Sequence, residues 1–467
     1  MVKSLPEDFV AYTRSLMGDL YDVLENALGC PPCVSVRINP YKCDVTKTEI
    51  IGAVAGVPWC DEGVLLAEKP NFTFDPLMHA GVYYVQEASS MFVSHIVKQV
   101  VKSPIVILDL CAAPGGKATA CRAALPDGSL LVCNEYLRQR ANVLSENIQK
   151  FGSPDVIVTN NAAIDFSRAQ IALFDIILAD VPCSGEGMFR KEPCAIEGWS
   201  VSNVAKCRQL QRQIVADVWP CLKDGGVLIY STCTYNAYEN EENAMWIAET
   251  LGAEFVAVDV NPEWGITGSL KGDVPVCRFI PGRTTGEGLF VTVLRKKGSS
   301  SASGRKQQTN YCKSKENTCL PLRQSDRFCM RKRGEQIIAV GKSWSDIYDS
   351  AAQRLNVVHA GVTIGTSKGK DIIPNASLAL SARIDKQQFV AHDVDRDKAI
   401  SYLRKEPVTL PHYIPKGFVL LTYRGVPIGF EKNLGTRANN LYPAEWRIRS
   451  SHIPEQKDII KNYEAIY

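Results

Sequence analysis

Two cysteines stand where a thiol could do covalent chemistry. Cys183 lies in Asp180-Val181-Pro182-Cys183-Ser184-Gly185, and Cys233 in Ser231-Thr232-Cys233-Thr234. Each comes after an apolar run of strand character, residues 174–179 before the first and 227–230 before the second. In an open α/β sheet the carboxyl ends of the strands line the ligand crevice. Both thiols are therefore expected to open into one cleft. The chain has 16 cysteines, and any one taken alone is best read as structural. Cys111, Cys121 and Cys133 sit in apolar stretches and read as small core residues. Polar flanks and a strand-end position separate Cys183 and Cys233 from these.

A third strand end, over 106–110, runs into Cys111-Ala112-Ala113-Pro114-Gly115-Gly116-Lys117. Paired glycines let the backbone approach a ligand closely, and the start of the next helix offers free N–H donors. The turn lacks the G-x-G-x-x-G spacing of a pyrophosphate-bearing nicotinamide cofactor. A carboxylate, Glu135, stands at the next strand end, at about the 20-residue distance expected of a ribose-binding acid. Asn160 and Asn161 end a further strand and could meet an adenine edge. A ribose acid and an adenine contact without a pyrophosphate loop point to S-adenosylmethionine.

Methyl transfer from a sulfonium explains why two thiols would be needed. Carbon 5 of a pyrimidine is a poor nucleophile. A thiolate adding to carbon 6 makes the ring enamine-like, so that carbon 5 can attack, and the covalent intermediate divides one hard step into easier ones. A base must then remove the carbon-5 proton so that the thiol can leave, and a second thiol can serve there. Asp180 could hydrogen-bond the cytosine ring nitrogen and amine. Methylation on nitrogen would call for Asn or Asp with Pro-Pro and an aromatic residue. Asp180-Val181-Pro182-Cys183 departs from that and favours carbon chemistry.

The scaffold for these groups can be read from the apolar pattern. At 467 residues the chain exceeds a single core, which stops growing near roughly 250–300 residues. Apolar content of 45% and charged content of 22% are ordinary for a globular protein, and a net charge of +3 gives no global basic field. No apolar run approaches the roughly 20 residues of a membrane span. No secretory signal opens the chain, so a cytoplasmic protein with reduced thiols is expected. Residues 1–75 read as a small α+β unit, with a helical stretch over 7–27 and a strand over 34–39 in which Arg37 is expected at a surface groove. Residues 76–297 alternate strand and helix, the mark of a doubly wound parallel sheet. Strands are predicted at 105–110, 129–134, 155–159, 174–179, 226–231 and 254–258, and helices at 138–150, 203–221 and 239–250. A strand over 288–295, with no helix before it, reads as an antiparallel insert or edge strand. Residues 298–334 read as a basic flexible linker. A unit over 335–385 and a turn-rich β unit over 386–467, with a hairpin at Arg424-Gly425, complete the chain. Cys30-Pro31-Pro32-Cys33 has redox or zinc spacing but no partner pair nearby, and no metal is assigned.

With these residues in place, the chain resembles the NOP/SUN family of RNA (cytosine-carbon-5) methyltransferases. Asp109 to Lys117 matches the family's cofactor motif, Asp180 to Gly185 its proline-cysteine motif with valine where alanine is commoner, and Ser231 to Thr234 its nucleophile motif. Residues 81–90 resemble the lead-in to the catalytic domain, and Ser35-Val36-Arg37-Ile38-Asn39-Pro40 the amino-terminal RNA-binding unit. Gly425 to Phe430, followed by Asn440-Leu441-Tyr442-Pro443, resembles the PUA-like region of bacterial small-subunit rRNA methyltransferases of the RsmF type. Ala438-Asn439 departs from that region, where a lysine commonly precedes the asparagine.

The resemblance implies a Rossmann-like class I methyltransferase core, a mostly parallel sheet with an antiparallel strand, between small α+β N-terminal and PUA-like C-terminal RNA-binding domains. It implies Cys233 as nucleophile on carbon 6, Cys183 in product release, and Lys117 and Asp180 facing the reacting base. Cys111, Ala112, Ala113, Pro114, Gly115, Gly116, Lys117, Glu135, Arg140, Asn161 and Asp180 would line S-adenosylmethionine. Arg37, and Arg190 with Lys191 on a mobile loop over a flipped cytosine, are the RNA-contact candidates, with Tyr413, Lys416 and Arg437 beside them. The expected activity is cytosine-C5 methylation of rRNA, of the 16S type, by a monomer. The alternatives are the same reaction on tRNA and an idle RNA-binding assembly factor. A DNA cytosine methyltransferase is disfavoured, because those enzymes use the proline-cysteine thiol as nucleophile and lack the second strand-end thiol.

Overall fold

The computed structural model describes residues 4–171, 173–298, 320–369, 371–450 and 458–466. The stretch expected as one helix over 7–27 breaks into Glu7–Met17 and Leu20–Leu28. Gly18 between them takes a φ of 56°, a left-handed conformation that glycine adopts without strain. Next come strands β1 (Val34–Ile38), β2 (Glu49–Ile50), β3 (Ala53–Val57), β4 (Cys60–Leu66) and β5 (Tyr83–Val85). Four of them form a sheet in the order β3-β4-β1-β5. This unit runs past residue 75, because β5 supplies the partner for the free edge of β1, with Val36 opposite Val85 and Ile38 opposite Tyr83.

The central sheet is built from β6 (Val106–Asp109), β7 (Leu130–Asn134), β8 (Val156–Thr159), β9 (Phe174–Asp180), β10 (Leu222–Thr232), β11 (Ala253–Val256), β12 (Val276–Phe279) and β13 (Leu289–Lys296). Its parallel heart runs β8-β7-β6-β9-β10, so the strand order reverses at β6. Ligand crevices open at such switch points, beyond the carboxyl ends of the strands. Strands β6 to β8 are buried at every position, as a sheet covered on both faces requires. The helices Arg138–Phe151, Val201–Val218 and Glu241–Leu251 supply much of that cover. Strand β13 is antiparallel, as expected of an insert, but it is interior and not an edge. It pairs with β10, β11 and β12, and its residues 289–294 are all buried.

Beyond the core come β14 (Phe328–Arg333), β15 (Gln336–Gly341), β16 (Val357–Ala360), β17 (Val362–Lys368) and β18 (Asp371–Pro374). The linker expected over 298–334 is therefore folded in its last part. Phe328 and Cys329 are buried, and β14 pairs with β15, so Arg331, Lys332 and Arg333 ride on a strand. Arg305, Lys306, Lys313 and Lys315 of that linker lie outside the described residues. Strand β16 leaves its own unit and closes the edge of the central sheet against β8.

The last unit holds β19 (Val390–Val394), β20 (Gly417–Tyr423), β21 (Val426–Asn433), β22 (Ala438–Asn440) and β23 (Ile460–Asn462). The β20–β21 hairpin turns at Arg424 and Gly425, both with positive φ, the geometry that matches strand twist in a two-residue turn. Strand β23 returns to pair with β2 of the first unit. Among the described residues no helix is long and apolar enough to cross a membrane.

Candidate active site

Parallel pairing of β9 with β10 sets Asp180 beside Ser231, and the chain continues from each into its cysteine loop. The result is a sulfur-to-sulfur distance of 3.2 Å between Cys183 and Cys233. The hydrogen bond to Cys233, followed by burial, raises the Cys183 thiol well above its usual range. Asp180 accepts from Ser231 Oγ (2.7 Å) and from Lys117 Nζ (2.9 Å). Burial disfavours the Lys117 ammonium, but the charge and hydrogen bond of Asp180 outweigh it and raise the lysine above its usual value. A fixed cation–carboxylate pair therefore borders the two thiols.

Two buried carboxylates, which sequence reasoning passed over, hold the thiol loops in register. Glu186 accepts from the backbone N–H groups of Tyr235 and Asn236 (2.7 and 2.9 Å) and from Trp199 Nε1 (3.0 Å). Glu239 accepts from Ser184 N (3.0 Å), Gln211 Nε2 (2.6 Å) and Asn236 Nδ2 (2.8 Å). The bonds from Tyr235 and Asn236 to Glu186 and from Ser184 to Glu239 join the Cys183 side to the Cys233 side, and that from Gln211 reaches the helix Val201–Val218. Gly187 N donates to the Cys233 carbonyl (2.7 Å), and a Cβ on Gly187 would lie 2.6 Å from that oxygen. The available signals were Glu186 set between two glycines and the polar run 236–241 directly after the nucleophile motif.

The glycine turn after β6 is anchored from several sides. Arg140 donates to Ala113 O (2.8 Å), Asn147 to Pro114 O (2.8 Å) and Thr119 Oγ1 to Gly115 O (2.7 Å), while Ala112 N donates to Asn134 O (2.8 Å). Gly115 has a φ of 117°, open to glycine alone without strain. Glu135 directly follows β7, with its side chain 5% exposed, held by Leu137 N and 3.5 Å from Arg140. Tyr136 and Leu137 beside it are 69% and 52% exposed, an apolar surface next to a carboxylate. Asp109 is fully buried, and neither carboxylate oxygen has a hydrogen-bond partner. Burial, then the charge of Asp180, raises Asp109 well above the usual carboxylate range. A glycine cradle, a carboxylate for ribose hydroxyls, an exposed aromatic and an unsatisfied buried acid fit S-adenosylmethionine. Asn161 comes to the same end of the sheet, but its side chain already pairs with the Asn356 backbone, as Asn160 does with Glu135 O and Tyr136 O.

Two sequence expectations on RNA contacts need correction. Arg37 does not point to a surface groove. It is 1% exposed and donates to Gln86 (2.8 Å) and Thr119 (2.6 Å), because β1 lies between β4 and β5 and turns that face toward the helix Gly116–Ala124. Arg190 is not free on a mobile loop. Its side chain is 6% exposed and grips Glu287 at 2.8 Å, and Lys191 lies 3.8 Å from the same carboxylate. Tyr413, Lys416 and Arg437 are exposed on the last unit, as a nucleic-acid surface would need.

An open sheet that reverses at a glycine turn, with a carboxylate at the next strand end, defines a class I S-adenosylmethionine-dependent methyltransferase. The family model "16S rRNA methyltransferase RsmB/F" matches residues 100–295, that of the N-terminal domain of 16S rRNA methyltransferase RsmF matches 5–88, and that of the methyltransferase RsmF PUA domain matches 389–448. Ribosomal RNA small subunit methyltransferase F of Pectobacterium atrosepticum is 30% identical, with 95% of this chain and 96% of that protein aligned. The Citrobacter koseri protein of that name is also 30% identical, over 94% and 96%. The chain belongs to the RsmF branch of the RsmB/F methyltransferase family. In fold it is similar to a methyltransferase homolog from Pyrococcus horikoshii (TM-score 0.53, 24% identity, 62% of this chain and 95% of that one). It is likewise similar to NSun6 from Pyrococcus horikoshii with SFG (TM-score 0.54, 18% identity, 64% and 100%).

Proposed function

We propose that this protein methylates carbon 5 of a cytosine in small-subunit ribosomal RNA through a covalent adduct with Cys233. The observation that carries the reading is the 3.2 Å approach of two thiols at adjacent strand ends, beside a fixed lysine–aspartate pair. The names of the relatives favour small-subunit rRNA over tRNA as the substrate, and the intact Cys183, Asp180 and Cys233 argue against an idle assembly factor.

S-adenosylmethionine supplies an electrophilic methyl group, and Ala112 to Lys117, Glu135 and Arg140 would hold it. The Cys233 thiolate adds to carbon 6, forming the S–C bond and moving electron density to carbon 5. Asp180 accepts from the ring's amine while Lys117 fixes that carboxylate. Carbon 5 takes the methyl group from the sulfonium, whose sulfur–methyl bond breaks and leaves a neutral thioether. Once Cys233 becomes a thioether, the hydrogen bond that most raises Cys183 is gone. Cys183 can then release its proton to solvent and, as thiolate, accept the carbon-5 proton, which leaves one proton released per methyl transferred. Elimination breaks the S–C bond and returns Cys233 as thiolate.

The test is methyl transfer from labelled S-adenosylmethionine to rRNA, small ribosomal subunits and tRNA, with denaturing gels for adducts. Cys233→Ala is expected to lose activity, and Cys183→Ala to accumulate an RNA adduct. Full activity in Cys233→Ala would overturn the nucleophile assignment.

A further inference from the structure

Residues 231–241 carry Cys233 into the helix Glu241–Leu251. In this stretch Cys233 is half-buried, Tyr238 is exposed, and the rest are buried. Tyr238 thus turns a large ring, 39% exposed, out of a loop that is otherwise packed away. Asn240 accepts from Thr232 Oγ1 (2.6 Å) and donates to Thr234 O (2.9 Å), so the loop folds back and keeps Tyr238 close to Cys233. The ring stacks on Tyr12 of the helix Glu7–Met17, with centroids 5.0 Å apart and an angle of 24° between planes. Ala237 N donates to Tyr12 Oη (3.3 Å), which ties the pair to the loop. The helix has its own anchor one turn earlier, where Phe9 packs edge-on against Phe189 (5.0 Å) and Trp199 (5.8 Å). Two cations stand about the exposed ring, Lys271 Nζ at 5.7 Å and Arg208 Cζ at 6.0 Å from its centre, near the outer limit of a cation–π contact. Glu242 holds them both, at 2.6 and 2.7 Å. One carboxylate against two cations leaves the patch positive.

From this arrangement we infer that Tyr238, backed by Tyr12, is a stacking platform for the nucleotide next to the target cytosine in the RNA strand. A cytosine that brings its carbon 6 to Cys233 has left its stack, and its neighbour in the strand has lost a stacking partner. A ring held close to Cys233 replaces that partner, and it does so for any base, because every base has a π-face. The position is the one the strand must cross. Strand β10 ends at Thr232, so the loop after it lies at the carboxyl rim of the sheet, where the crevice opens. The helix Val201–Val218 runs back toward the start of β10, which sets Arg208, in its first half, on the same side. The positive patch attracts the phosphates of the strand, and the ring adds the contact to a base that no cation supplies. The inference rests on the RNA-methyltransferase reading above.

The experiment combines filter binding of a small-subunit rRNA transcript by the full-length chain, across a salt series, with ultraviolet cross-linking of the wild-type complex. Tyr238→Ala is expected to bind about ten-fold more weakly at every salt concentration. The slope of log K against log salt should stay unchanged, because stacking releases no ions. Tyr238→Trp is expected to bind at least as tightly as wild type. Mass spectrometry of the irradiated complex is expected to find a nucleotide joined to Tyr238, and this readout decides the matter where Tyr238→Ala does not fold. Tyr238→Ala that binds like wild type, or a wild-type complex with no nucleotide on Tyr238, overturns the platform. A loss of affinity that Tyr238→Trp does not restore assigns the ring to packing and overturns it as well. Wild type that methylates the transcript in either of those cases leaves the enzymatic reading standing. Wild type that cross-links through Tyr238 but methylates no RNA overturns the enzymatic reading and leaves the stacking surface standing. Wild type that binds no RNA overturns both.

Discussion

The behaviour of the Cys183 thiol depends on its partner. The largest influence on it is the hydrogen bond to Cys233, and burial comes second. Removing the partner should therefore ease its ionisation. In Cys233→Ala, alkylation of Cys183 by iodoacetamide near neutral pH is expected to run several-fold faster than in wild type, with peptide mass spectrometry as the readout. An equal rate would mean that burial alone governs Cys183, and its proposed service as base after adduct formation would lose its support.

At the scale of elements, the catalytic geometry depends on joining two loops that leave parallel strands. Backbone pairing ends with Asp180 beside Ser231, and beyond it side chains take over. Glu239 is the central clamp, with its two oxygens accepting from three donors on three segments. Glu239→Gln turns one acceptor oxygen into a donor facing donors. A loss of about 1–3 kcal/mol is expected in chemical denaturation, the cost of a buried polar group left unpaired. Adduct formation should slow at the same time, because small displacements of a positioned nucleophile are expensive in rate. Unchanged stability and rate would show that water replaces the clamp. Arg278, buried against Glu241 and donating to Tyr235 O (2.7 Å), ties the same loop to β12.

For the molecule as a whole, the carboxyl-terminal third is part of the catalytic domain's architecture. Strand β16 caps the β8 edge, and Ile338, Val340, Ile347, Tyr348, Ala351 and Val357 belong to the same buried cluster as β6 and β7. Strand β23 clasps β2, so the last unit is tied to the first. A chain ended at residue 297 would expose the β8 edge and that apolar surface, a template for edge-to-edge pairing. It is expected to elute as aggregates in size-exclusion chromatography and to melt several degrees lower. A monodisperse, equally stable fragment would show that the third unit is merely attached.

Residue order alone laid out the candidate site of this protein. Strand-end positions for Cys183, Cys233 and Glu135, the glycine turn and the succession of core strands were legible because a parallel sheet needs continuous apolar runs, and the residues just after each run gather at one rim. The hairpin at Arg424-Gly425 was legible from its turn chemistry. The hidden features all depend on pairing across distance. Strand β13 looks like an edge until β11 and β12 flank it, and Arg37 looks exposed until the helix after the cofactor turn covers its face. Arg190 looks free until Glu287, 97 residues away, meets it. Periodicity reports which face of an element is apolar, but not which element will cover it. It took the packed molecule to show that Glu186 and Glu239 clamp the thiol loops, that β16 (Val357–Ala360) caps the edge of β8 (Val156–Thr159), and that Arg37 is buried with one bond unmade. Those partners are far apart in sequence, and close packing in three dimensions brings them together.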